Sequence, residues 1–177
     1  FVLADLGVSS MQIDNPERGF SYKQDGPLDL RLNPQTGTPA SKRLSELSED
    51  EICGMLVENA DEPYAVSLAS AIYKQSHFGK SIDTTTCLKQ IIEETVSPLL
   101  KGEKEEEKKT ILKKTCQRVF QAIRIDVNSE FEVLDAFLQK LPLVMNPGGK
   151  AAILTFHSGE DRMVKKAFRA GRGIYYK

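Results

Sequence analysis

The sequence predicts an α/β fold in which an open parallel sheet is interrupted by a helical insertion. Three observations carry that prediction. A short apolar run, Phe1-Val-Leu-Ala4, ends at Asp5 and a glycine turn. A second, Ala151-Ala-Ile-Leu-Thr-Phe156, ends at His157-Ser158. Between them, apolar residues recur at helical spacing. Short unbroken apolar runs bounded by turn signals read as strands buried in a parallel sheet. Two strands are too few for a stable sheet, so further strands are expected from residues outside this sequence.

The 177 residues, 40% apolar and 28% charged, have a globular composition that suits one domain carrying an insertion. With 24 basic and 25 acidic residues the net charge is -1, so only local clustering can argue for nucleic acid. No apolar run approaches the roughly 18 residues of a membrane helix, and no secretory signal pattern is present. Cys53, Cys87 and Cys116 are scattered and odd in number, without a CxxC pair. That usage suggests a reducing compartment and buried structural thiols.

The elements follow in order. Gln12 to Pro39 is rich in Pro and Gly but interleaves Phe20, Tyr22, Leu28, Leu30 and Leu32, as an ordered functional loop would. Ser48-Glu-Asp-Glu51 is a capping box before Ile52, Met55 and Leu56. Asp61-Glu-Pro63 is expected to open a second helix with Pro in its first turn, burying Ala65, Leu68, Ala69 and Ile72. Thr84-Thr-Thr86 caps a third helix with Leu88, Ile91 and Ile92 inward, and Pro98 ends it. Lys101 to Lys114 reads as an exposed linker or a solvated helix face. Val119 to Val127 is apolar-periodic. Ser129-Glu-Phe-Glu132 reads as another capping box, and Asn146-Pro-Gly-Gly149 as the stop of its helix. A last helix starts near Gly159.

Several residues are candidates for chemistry. Asp5, at the end of a parallel strand, would lie where such sheets bind ligands, with Gly7 allowing close backbone approach; an ordinary strand-to-loop turn is the plain alternative. Arg18 and Arg31 can contact phosphate or stack on a base, or pair internally with Glu17 or Asp29. Arg118, Gln121 and Arg124 share a helical face, and Asn128 can be a cap for the next helix. His157 is placed in the cleft beside Asp5. Ser158 and Asp161 fit a capping box better than a hydrolase triad, and no second His or Cys stands at metal-ligand spacing, so no metal is expected. Past Asp161 the tail carries Arg162, Lys165, Lys166, Arg169, Arg172 and Lys177 with Tyr175 and Tyr176, which suits RNA contact or helix-dipole compensation equally. Without a GxGxxG or Walker loop, a nucleotide cofactor cannot be placed from these residues alone.

Taken together, DLGVSSMQIDNPERGFSYKQDGPLDLRLNP, RVFQAIRIDVNSE and NPGGKAAILTFHSGEDRMVKKAFR resemble the MraW, or ribosomal small-subunit methyltransferase H, family. The resemblance implies a class I, Rossmann-like methyltransferase sheet with an inserted helical domain, Phe1–Asp5 being the fourth strand and residues 151–156 the neighbouring fifth. It implies S-adenosyl-L-methionine as cofactor, contacted by Asp5 and Gln12. The implied substrate is the N4 amine of a cytidine in small-subunit (16S) rRNA near the decoding centre, held through Arg18, Arg31, Arg118, Arg124, Asn128 and Arg162. Asp5 and, more weakly, His157 would be catalytic. Gly159 stands where the family usually has leucine.

The implied division is 1–24 for the first part of the methyltransferase domain, 25–114 for the inserted substrate-recognition domain and 115–177 for the second part. The family's glycine-rich cofactor loop would precede Phe1, so these residues alone are not expected to catalyse methyl transfer. A bacterial cytoplasmic protein is implied, with an organelle left open, and a homodimer is possible. Two rivals are an amino-methyltransferase acting on DNA and a non-enzymatic RNA-binding module.

Overall fold

The structure, a computed structural model, describes residues 1–172. β1 (Val2–Asp5) and β2 (Ala151–Leu154) pair in parallel, in the register Val2↔Ala151 through Asp5↔Leu154. The Val2 amide donates to the Lys150 carbonyl at 2.9 Å, and the Leu6 amide donates to the Leu154 carbonyl at 3.2 Å. The two apolar runs are thus the parallel neighbours that the sequence predicts. Within these residues Leu3 is 60% and Phe156 69% exposed. A two-stranded ribbon covers only alternate side chains, so Val2 and Ala4 are half-buried while Leu3 and Asp5 face outward.

The chain divides into two compact units. The first holds Phe1–Val8 and the described chain from Ser129 onward; the second is Ser9–Asn128. The division expected from the sequence lay at 24/25 and 114/115. The compact units divide at 8/9 and 128/129, so residues 9–24 and 115–128 pack with the helical unit, and one uninterrupted helix crosses position 114.

In the first unit, α7 (Glu130–Val144) and α8 (Ser158–Arg172) bury Leu134, Leu138 and Val164 together, with Leu6 and Ile153 packed against them. Ser129 does not form the expected capping box. It sits in the left-handed region at φ 48° and makes no side-chain cap. An N-cap serine needs extended backbone to reach the N3 amide, and Ser129 has none.

The helical unit contains α1 (Ser10–Ile13), α2 (Ala40–Glu46), α3 (Glu49–Ala60), α4 (Ala65–Phe78), α5 (Thr85–Val96) and α6 (Glu105–Asn128). Its core is built from Leu44, Ile52, Leu56, Leu68, Ile72, Leu88, Ile92 and Ile123, with Leu28 and Leu30 contributed by the long loop. Ser48 caps α3 reciprocally: the Glu51 amide donates to Ser48 Oγ at 3.3 Å, and the Ser48 amide donates to Glu51 Oε2 at 2.8 Å. Thr84 caps α5 by accepting from the Cys87 amide at 3.2 Å. Pro63 lies before α4 rather than within its first turn, because Asp61 closes α3 in a left-handed conformation and Tyr64 is the N-cap. The charge-rich stretch becomes the solvated start of α6, whose first-turn Glu105, Glu106 and Glu107 complement the helix dipole. None of the described helices is long and apolar enough to cross a membrane.

All three cysteines are free. Burial pushes the Cys116 thiol from 9.0 up to about 11, with Glu93 adding to the effect. The folded state therefore resists losing this proton, and its stability should fall as pH rises from 9 toward 11, where the unfolded thiol ionises first. Urea titrations of wild type and Cys116→Ala across that window should differ in slope. Equal slopes would remove Cys116 as the cause.

Candidate active site

In the first unit, the pairing register brings the carboxyl ends of β1 and β2 to the same edge. Asp5 ends β1 with an exposed side chain, and Gly7 turns the chain at φ +85°, a conformation that favours glycine. Three residues past β2, His157 starts α8. Its ring lies 5.8 Å from that of Phe131. The helix start differs from the expected Ser158–Asp161 box. The Glu160 amide donates to His157 Nδ1 at 3.4 Å, while Glu160 Oε2 accepts from the Phe156 amide at 2.8 Å. The cap has shifted back by one residue, and a histidine ring nitrogen serves as its acceptor.

Glu160 is the residue that sequence reasoning missed here. Its Oε1 lies 3.3 Å from His157 Nε2, and the two side chains are only 5% and 9% exposed. Nε2 has no aligned hydrogen bond among the described residues. Glu130 joins them, so that one ligand atom from each of the three residues lies within 4.8 Å of the others. Ring tautomerism argues against a cation between them. With Nδ1 accepting a backbone N–H, the neutral ring carries its hydrogen on Nε2 and offers no lone pair there.

Removing Glu160 leaves the Phe156 amide without its acceptor. Glu160→Ala should therefore lower stability by about 1–3 kcal/mol; a urea midpoint unchanged from wild type would contradict this role. At Gly159, an added Cβ would meet Phe131 Cζ at 2.6 Å. The aromatic ring of α7 thus occupies the place where a larger residue would begin.

In the helical unit, Gln12 completes a reciprocal cap on α1: its Oε1 accepts from the Ser9 amide at 2.9 Å, and its own amide donates to Ser9 Oγ at 3.4 Å. Arg18 does not pair with Glu17. Its Nη2 donates to the carbonyls of Arg31 at 3.2 Å and Leu32 at 2.8 Å, and its guanidinium lies 5.5 Å from the Phe20 ring centre. Arg31 grips Asp29 with two bonds, Nε to Oδ1 at 2.7 Å and Nη2 to Oδ2 at 2.8 Å. Burial alone would raise the Asp29 carboxyl, but Arg31 holds it below its usual value.

Asn128 is a staple rather than a helix cap. Its Oδ1 accepts from the Leu32 amide at 2.7 Å, and its Nδ2 donates to the carbonyls of Leu30 and Arg124, each at 2.8 Å. That grip holds Leu30 buried at φ 62°, an uncommon conformation for a branched side chain. Arg118 points into the core, where its Nε donates to Glu62 Oε2 at 2.6 Å. Gln121 Nε2 donates to the Asn59 carbonyl at 3.4 Å, so the polar face on α6 is turned toward α3 and its C-terminal loop. Arg124 is half-buried and also partnered, and Arg162 is exposed on α8 with a partner of its own. The expected RNA-contacting tail, Tyr175, Tyr176 and Lys177, lies outside the described residues, as does the Arg172 side chain.

Comparison with known proteins follows the same segments. "Ribosomal RNA small subunit methyltransferase H 1" of Agathobacter rectalis is 63% identical over 177 residues, covering 99% of this chain and 50% of that protein. The protein of the same name from Lachnoclostridium phytofermentans is 59% identical, covering 99% of this chain and 47% of its own length. "Ribosomal RNA small subunit methyltransferase H" of Halorhodospira halophila is 40% identical over 98% of this chain and 50% of that protein. The chain therefore spans about half the length of these curated relatives. The family profile described as the MraW methylase family matches residues 1–173, and the chain belongs to that family.

Proposed function

We propose that this chain is part of an S-adenosyl-L-methionine-dependent methyltransferase that modifies the N4 amine of a cytidine in small-subunit rRNA near the decoding centre. The observation that carries the reading is the parallel pairing that puts Asp5 and the His157 segment at one sheet edge, in a chain 63% identical to a protein named for small-subunit rRNA methylation. The bacterial relatives favour a cytoplasmic setting. We further propose that residues 1–24 and 115–177 serve the transferase domain and 25–114 serve substrate recognition.

Asp5 and Gln12 each suit the cofactor by their own chemistry. The exposed carboxylate of Asp5 can accept from a hydroxyl or amine, and Gly7 turns the chain just beyond it. Gln12 keeps an amide N–H₂ to donate while its oxygen caps α1. When bound, S-adenosyl-L-methionine would supply an electrophilic methyl group. For the substrate, Asp5 would accept a hydrogen bond from the cytosine amine, orient its lone pair and draw off the proton that must leave. His157, fixed by Glu160, would help wall that edge. Arg18, Arg31 and Asn128 would act on substrate chiefly through the loop they order, since Arg18 Nη2, the Arg31 guanidinium and the Asn128 amide bond within the chain. Arg118 would have the same indirect role through the helical core. Arg124 and Arg162, each also partnered within the chain, are proposed to take part in substrate binding. A base inside a duplex cannot reach such a site, so an unpaired or partly assembled RNA is the natural substrate.

The test is methyl incorporation by the full-length protein into small-subunit RNA and into duplex DNA, followed by nucleoside mass analysis. Methylated cytidine in the RNA alone is expected. Methyl transfer to DNA, or none to either acid, would overturn the reading.

A further inference from the structure

The C-terminal end of α4 carries an aromatic cluster that the reading above does not use. The Tyr73 and His77 rings lie 4.1 Å apart at 30°, a near-stack, and Phe78 meets Tyr73 edge-on at 5.9 Å. Phe78 is 79% exposed. Tyr73 packs partly against the core and His77 Nδ1 lies 3.1 Å from the Tyr73 carbonyl, while the His77 and Phe78 rings stand exposed beyond the buried face of α4.

Along the chain the stretch that bears the cluster is basic, with Asp83, the first acid beyond it, lining the adjoining cleft. From Pro63 to Ile82 there is no Asp or Glu, in a chain holding 25 of them, while Lys74 and Lys80 flank the rings and are exposed. Beside the cluster lies a cleft of about 260 Å³, lined chiefly by Ser41, Lys42, Ser45, Ser76, Ser81 and Asp83. Ser76 links the two features, its hydroxyl lying 3.0 Å from His77 Nδ1. Aromatic faces beside lysines, next to a cleft rich in hydroxyls, match an unpaired nucleotide: a π-face to stack on, a phosphate to neutralise and a ribose hydroxyl to bond.

We propose that Tyr73, His77 and Phe78, with Lys74 and Lys80, form a stacking platform for an unpaired nucleotide of the RNA substrate. The inference deepens the rRNA reading and rests on it. It assigns the helical unit a docking surface made by α4 rather than by the arginines of the long loop.

These 177 residues contain no tryptophan, so Phe78→Trp adds a reporter at the platform, read as the fluorescence difference between that variant and the wild-type protein. In the full-length protein, a single-stranded RNA oligonucleotide should quench that fluorescence saturably. The same sequence as a duplex should quench it at least tenfold less effectively. Phe78→Ala should weaken single-strand binding by roughly 5- to 100-fold, as loss of one base–aromatic stack does, with the helical circular dichroism unchanged. Binding without quenching, and with Phe78→Ala at wild-type affinity, would overturn the platform while leaving the rRNA reading intact. Quenching equally strong with duplex would also overturn it, as would weakened binding only to assembled subunits, which would indicate a protein contact. Absence of any RNA binding by the wild type would overturn the platform, and the methyl-incorporation assay shows independently whether the enzyme reading falls.

Discussion

Arg118→Ala is expected to destabilise the helical unit by about 3–5 kcal/mol, the cost typical of leaving a buried charge without its partner. The Glu62 side chain is 0% exposed. One of its oxygens accepts from the Tyr64 amide at 3.0 Å, and the other from Arg118 Nε at 2.6 Å. Without the guanidinium, a fully buried carboxylate keeps only the Tyr64 amide as its partner. Replacing both partners with apolar residues of similar size, as in Arg118→Met with Glu62→Leu, should recover much of the loss, because no unpaired charge then remains. Urea denaturation of the two variants decides the matter. A single variant as stable as wild type, paired with weaker RNA binding, would mean instead that Arg118 meets the substrate directly.

Asp5→Ala in the full-length enzyme is expected to lower turnover by about 10²–10⁴-fold, the range for a positioned acid–base group. Asp5 is exposed at the end of β1, so the substitution should change stability by no more than about 0.5 kcal/mol. If the carboxylate acts on the substrate amine, the fall appears in kcat. If it only holds the methyl donor, the fall appears in KM for that donor and saturation restores the rate. Near-normal turnover would remove Asp5 from the site altogether.

How far the sequence went is clearest at individual residues. Both strands and their parallel relation were legible because apolar runs, closing glycines and the acidic and histidine tips are local signals. The caps at Ser48 and Thr84 were legible for the same reason. Two other caps were misread, at Ser129 and Ser158, where the same residue pattern met the wrong backbone. Serine can cap only from an extended conformation, and no short pattern reveals that a left-handed residue or a histidine has taken the position. The arginines show the other limit. From spacing, Arg18 and Arg31 were as suited to phosphate as to internal partners, and the face bearing Arg118 pointed to function. The partner of Arg118 lies 56 residues away and the carbonyls held by Arg18 lie 13 and 14 away, so only folding could decide. Glu160 passed unnoticed because its importance comes from the ring and the amide it ties together.

The Asn128 staple has a consequence for the order in which the protein matures. The backbone groups it grips at Leu30 and Leu32 are 98 and 96 residues earlier in the chain. At a synthesis rate of about 5–20 residues per second, the early segment leaves the ribosome roughly 5–20 seconds before the amide that locks it. Until the final turn of the longest helix is made, the stretch carrying Arg18 and Arg31 lacks its hydrogen bonds to the Asn128 amide and is held only by nearer contacts such as Arg18 on the Leu32 carbonyl.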